Sequence, residues 1–134
     1  MTPAYSADTL LARLQTGNVL AADCPSRRVL QHLTSRWGAL VMVALATGTH
    51  RFSALRRAVG GVSERMLAQT LDQLVADGFV RRTEYRVVPP HVDYTLTPLG
   101  QEAAGLVVHL TGWIEANLPR VMAHRATGGE VAAK

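Results

Sequence analysis

The stretch Arg51-Phe52-Ser53-Ala54-Leu55-Arg56-Arg57-Ala58-Val59-Gly60-Gly61-Val62-Ser63-Glu64-Arg65-Met66-Leu67-Ala68-Gln69-Thr70-Leu71 decides how the chain is read. Phe52, Leu55 and Val59 recur at helical spacing and predict a short helix whose other face carries Arg51, Arg56 and Arg57, ended by Gly60-Gly61. Ser63 has the side chain to cap a second helix, with Met66, Leu67, Leu71, Leu74 and Val75 as its inner stripe and Asp77-Gly78 as its close. The outward face of that helix reads Glu64, Arg65, Ala68, Gln69, Asp72 and Gln73. Two short helices meeting at a tight turn form a helix-turn-helix, whose second helix can lie in a major groove.

Upstream, Leu10, Leu11, Leu14 and Val19 predict an N-terminal helix over about residues 5–22, weakened in its middle by Gly17 and Asn18. Asp23-Cys24-Pro25 predicts the start of another, because proline suits the first helical position; it runs from Pro25 to about Thr34. Ser35 or Thr34 then caps a buried helix from Trp37 to Ala46, with Trp37, Leu40, Val41, Ala44 and Leu45 on one stripe and Gly48 after its end. Downstream, Phe79 to Val87 and Val92 to Leu96 have strand character on either side of Pro89-Pro90, so they predict a β-hairpin with a proline-bearing tip. Thr97-Pro98 opens a long helix, expected over about residues 98–118, whose apolar residues, Leu99, Ala103, Leu106, Val107, Leu110, Trp113, Ile114 and Leu118, make a stripe wider than one small core requires. The fold class is therefore mainly α with a small β-hairpin wing (α+β), a winged helix-turn-helix. Residues 1–126 are expected to form a single domain, followed by a flexible tail over 127–134.

The composition narrows the function. With 48% hydrophobic and 18% charged residues the chain is apolar enough to fold. It has no apolar run near the roughly 20 residues of a membrane span, and Met1 to Asp8 lacks the basic and apolar regions of a signal peptide, so a cytoplasmic location with no membrane contact is expected. The single cysteine, Cys24, excludes an internal disulfide and a cysteine-rich zinc site. His32, His50, His91, His109 and His124 lack metal-ligand spacing, and no phosphate loop, nucleophile elbow or paired-carboxylate motif is present. Neither an enzyme, nor a metal, nor a cofactor is therefore expected. The net charge is +4, and every basic residue except Lys134 is arginine, whose planar fork matches phosphates and guanine edges. These features favour an anionic partner, double-stranded DNA.

The spacing of the polar residues assigns roles on such a partner. Arg65 and Gln69 are four apart and share a helix face, and with Ser63 and Thr70 they supply the donors and acceptors that read base edges. Arg51, Ser53, Arg56 and Arg57 lie where side chains meet backbone phosphates, and Arg86 and His91 flank the hairpin tip. Any one of these arginines alone would be an ordinary solvated residue; it is their coincidence with the helix-turn-helix order that makes a DNA face. The alternative is a winged-helix protein-interaction module without sequence-specific DNA binding, since the fold alone does not fix the partner.

Cys24-Pro25, the Trp37 helix, Arg51-Phe52-Ser53-Ala54-Leu55-Arg56, Ser63-Glu64-Arg65-Met66-Leu67, Leu71 to Phe79, and Val88-Pro89-Pro90-His91-Val92-Asp93-Tyr94-Thr95-Leu96-Thr97-Pro98-Leu99-Gly100 together resemble the HxlR-type winged helix-turn-helix regulators, relatives of the MarR family. The resemblance covers about Cys24 to Trp113. It implies a transcription regulator that works as a homodimer held by its N- and C-terminal helices, here through Leu10, Leu14, Leu106, Leu110, Trp113 and Ile114, and presents two recognition helices to an inverted-repeat operator. A compact dimer on an operator acts most simply as a repressor. Some relatives sense oxidants or electrophiles through a cysteine near this position, which makes Cys24 the candidate redox sensor and a small molecule or oxidant the candidate effector. Its place at a helix N-terminus near Arg27 and Arg28 favours thiolate, and with no second cysteine it would respond by a Cys24 to Cys24 bridge, thiolation or alkylation.

Overall fold

Three hydroxyl side chains fix where helices begin. Ser35, Ser63 and Thr97 each accept a hydrogen bond from the backbone N–H three residues on, from Gly38 at 3.1 Å, Met66 at 3.1 Å and Gly100 at 2.9 Å. Each satisfies one of the amides that a helix start leaves unpaired. The computed structural model describes residues 6–13 and 19–128. Along them run α1 (Ala7–Arg13), α2 (Pro25–Thr34), α3 (Arg36–Leu45), β1 (His50–Arg51), α4 (Phe52–Ala58), α5 (Glu64–Ala76), β2 (Val80–Tyr85), β3 (His91–Leu96) and α6 (Pro98–Ala126). The fold is a winged helix, mostly helical with one small antiparallel sheet.

The core lies where α3 meets α5, the sheet and the first turns of α6. Val41, Met42 and Leu45 from α3 pack with Leu55 from α4, Leu67, Leu71 and Leu74 from α5, and Phe79, Val80, Tyr94, Leu96 and Ala104. β2 and β3 pair in the predicted hairpin, with Val80 opposite Leu96 and Arg82 opposite Tyr94. A third strand was not foreseen: β1 pairs with the other edge of β3, His50 opposite Tyr94. Two residues carry no readable alternation, and their pairing is set by where α3 delivers the chain.

The observed helices correct four expectations. In α5 the buried positions are Leu67, Thr70, Leu71 and Leu74, an i, i+3, i+4, i+7 stripe, so Thr70 points inward at 6% exposure while Met66, expected inside, is 39% exposed. In α3 the stripe is rotated in the same way, with Met42 fully buried and Leu40 exposed. The N-terminal helix is described over Ala7–Arg13, and residues 19–23 form turns and bends rather than a helix reaching residue 22; residues 14–18, Leu14 among them, lie outside the described residues. At the other end α6 continues past Leu118 to Ala126, with Pro119 in its interior. Of the expected tail, Thr127 caps α6, Gly128 is in a turn, and 129–134 lie outside the described residues.

One polar joint ties the end of α5 to its neighbours. His32 Nδ1, in the last turn of α2, lies 2.5 Å from Oδ2 of Asp77, the C-cap of α5, and both side chains are largely buried. Next to it the Thr97 hydroxyl donates to the Gly78 carbonyl at 2.5 Å, and the Thr97 N–H donates to the Phe79 carbonyl at 3.0 Å. Gly100 sits against the backbone of Phe79, just before β2, so closely that a Cβ there would lie 1.8 Å from the Phe79 oxygen. The start of α6 is thus fixed directly to the end of α5 and the start of β2.

Candidate nucleic-acid interface

The turn between α4 and α5 is built by Gly61, whose φ of +89° only glycine adopts without strain, and by Val62, buried at 5% exposure. Anchored in this way, α5 turns Glu64, Arg65, Ala68, Gln69 and Asp72 to solvent. Ser63 is exposed, and its oxygen already serves as the helix cap, which leaves its O–H free to donate. Arg51, at the N-cap of α4, and Ser53, Arg56 and Arg57 on α4 are likewise exposed. Thr70 is not part of this face: its place in the α5 core stripe removes it from the base-reading set. Arg56 Nη1 lies 3.2 Å from Glu64 Oε2, joining the two helices across the turn, with the two side chains 49% and 70% exposed. A pair so open to water contributes about 0–1 kcal/mol, so another anion can displace it at small cost.

In the wing, Arg86 is exposed at the tip beyond β2. His91, expected beside it as a second contact, instead props the hairpin from inside. Its ring stacks on Tyr85 with centroids 4.7 Å apart, its Nε2 lies 4.0 Å from Asp93, and its Nδ1 is buried without a hydrogen-bond partner among the described residues. Of the two, Arg86 is the one that presents open donors. Arg81 and Arg82, absent from the expected contact set, are also exposed on β2, with Arg82 paired to Glu84. Their signal was the same-face spacing of Arg82 and Glu84 along a strand.

Cys24 is the N-cap of α2 and is half-buried. It lines a cleft of about 400 Å³ with Asp23, Arg27 and Arg28 among its other walls. Partial burial by itself pushes the thiol pKa up. The Ser26 hydroxyl and the backbone N–H groups of Ser26 and Arg27 lie near the sulfur and outweigh both that effect and the opposing Asp23 charge, so the thiol is held below its ordinary value. Because a lowered pKa enriches thiolate at neutral pH, iodoacetamide should alkylate Cys24 in the native protein with a pH midpoint below that of the same chain in denaturant. Equal midpoints would contradict a thiol held below its ordinary value.

The family model described as HxlR-like helix-turn-helix matches residues 32–122, a span that holds α3, the α4–α5 unit, the wing and most of α6. The chain belongs to the HxlR-like family. It is accordingly a helix-turn-helix transcriptional regulator. Over 117 residues it is 59% identical to YtfH of Escherichia coli (strain K12), an HTH-type transcriptional regulator itself uncharacterised, covering 87% of this chain and 93% of that protein. Among solved structures, the transcriptional regulator ytfH from Salmonella typhimurium matches with a TM-score of 0.78 at 61% identity, over 82% of this chain and 98% of that one. The redox regulator HypR in its reduced form matches with a TM-score of 0.67 at 31% identity, over 74% of this chain and 98% of that one.

The HxlR-like chain leaves a large apolar surface uncovered. On α6 the buried side is Gly100, Ala104 and Val107, whereas Leu106, Leu110, Trp113 and Ile114 are 58%, 53%, 57% and 43% exposed. Val121 and Met122 continue that exposure toward the C-terminal end, and Leu10 and Leu11 on α1 are open as well. Contiguous exposure of this kind marks an interaction surface. Among the described residues no helix is long and apolar enough to cross a membrane, and no cluster of three or more His, Cys, Asp or Glu is placed to hold a metal ion.

Proposed function

We propose that this HxlR-like regulator is a homodimeric repressor that reads an inverted-repeat operator, with residues 1–126 acting as one unit. The observation that carries the reading is the coexistence of an open donor face on α5 with an uncovered apolar face on α6. The first suits one half-site of a duplex, and the second suits a twofold copy that presents another α5 one helical turn away. In this reading Arg65, Gln69 and Ser63 meet base edges, Arg51, Ser53, Arg56 and Arg57 meet phosphates, and Arg86 reaches the backbone beside the groove. Cys24 is the sensor: a thiolate in a cleft flanked by Arg27 and Arg28 reacts with an electrophile, or forms a mixed disulfide with a small thiol while an oxidant takes up two electrons. The likeness to the redox regulator HypR supports that assignment.

Two substitutions separate base reading from phosphate binding. Arg65→Ala is expected to relax discrimination at one base position by about 1–3 kcal/mol. Arg57→Ala is expected to weaken binding to all sequences and to lower the slope of log affinity against log salt by about one. Fluorescence anisotropy on specific and random duplexes over a salt series reads both. Equal effects of the two changes on both kinds of DNA would contradict the division of roles.

A further inference from the structure

Glu64 is the one acidic side chain at the N-terminal end of α5, the end that reaches base edges when such a helix lies in the major groove. It is 70% exposed, at the edge of the open arc of α5 whose middle holds Arg65 and Gln69. Helix capping does not account for it, because Ser63 already accepts from the Met66 N–H. Its observed partner is Arg56 on α4, at 3.2 Å, one of the side chains assigned above to phosphate. A carboxylate on a DNA-facing surface repels phosphate unless something in the complex donates to it, and in the major groove the cytosine amino group is such a donor.

We infer that Glu64 is a specificity-determining residue that reads a cytosine and, away from one, competes with the phosphate backbone for Arg56. This rests on the DNA-reading role proposed for α5. On random DNA Glu64 competes with phosphate for Arg56, so that phosphate contact is weakened, and no base amino group donates to the carboxylate. On the operator the cytosine N–H donates to the Glu64 carboxylate, and the released Arg56 guanidinium takes a phosphate. One exchange of partners thus lowers random binding and favours the operator. Gln69 and Arg65, which carry no negative charge, cannot supply the first half of that effect.

The test uses duplexes enriched from a random pool by the wild-type protein, random duplexes of the same length, and the full chain carrying Glu64→Gln. The variant should bind random DNA more tightly, and its preference for the enriched duplex should fall by about tenfold, within the range for one base contact. Replacing one C·G pair of each half-site should weaken the wild type more than the variant, whose neutral amide oxygen is the weaker acceptor. In an Arg56→Ala background the gain on random DNA from Glu64→Gln should shrink, because the contested side chain is gone. A Glu64→Gln protein with wild-type preference, or a gain on random DNA unchanged by Arg56→Ala, would overturn the inference while leaving the DNA-reading role in place. Failure of the wild type to enrich any sequence would overturn both.

Discussion

Replacing Leu110 and Ile114 together by glutamate is expected to turn the protein into a monomer and to lower its affinity for an inverted-repeat duplex by at least about 100-fold. The two residues are four apart on the side of α6 away from the core, 53% and 43% exposed, so the substitutions touch nothing that holds the subunit together. Each such side chain gains about 1.5–3 kcal/mol on full burial, and a twofold interface counts each change twice. Glutamate would also bring carboxylates into an apolar contact, where an unpaired charge is strongly disfavoured. A monomer on DNA loses the second half-site and with it the high effective concentration that linkage provides, commonly a factor of about 10²–10⁴. Light scattering on the eluting protein reads the mass, and anisotropy reads the affinity. A double variant that stays dimeric would place the dimer contact elsewhere, and a monomer with undiminished affinity would contradict the two-half-site arrangement.

Gly100→Ala is expected to destabilise the fold by about 3 kcal/mol, the upper end of what overpacking commonly costs. The added Cβ would meet the Phe79 carbonyl oxygen at 1.8 Å. That atom belongs to backbone and accepts the Thr97 N–H bond at 3.0 Å, so it cannot turn aside as a flexible side chain would. Relief requires α6 to move away from the start of β2, and the Thr97 bonds to Gly78 and Gly100 lie on that same joint. The damage therefore reaches the relation between the recognition helix and the helix proposed to dimerise. Thermal unfolding should shift down by roughly 10 °C or more, with operator affinity falling even at temperatures where the variant is folded. An unchanged melting temperature would show that the two backbones separate without cost.

Helix starts were the most legible part of the fold. Pro25, Ser35, Ser63 and Thr97 act at the positions their chemistry suits, and the wing emerged from β-branched runs on either side of Pro89-Pro90. What the sequence left open depends on which side of a helix meets the core. A 13-residue helix with Met66, Leu67, Thr70, Leu71, Leu74 and Val75 offers two overlapping stripes, and hydrophobicity alone prefers the one containing Met66. Packing chose the other, burying Thr70 and exposing Met66, and so removed one residue from the candidate site. His91 escaped for a related reason, since a histidine beside a turn looks exposed until its cross-strand neighbour Tyr85 is seen stacked on it. The Arg56–Glu64 pair spans a turn of fixed geometry, and no spacing rule for a single helix predicts it.

The most direct test is the affinity of the reduced protein for the DNA upstream of its own gene against random DNA of equal length, measured across a salt series. The proposed function predicts binding at least about 10³-fold tighter to the specific duplex, two chains per site, with a preference that survives at salt concentrations where random binding has vanished. Equal affinities with the same salt dependence would contradict sequence reading by α5 and leave the winged helix as a surface for a protein partner.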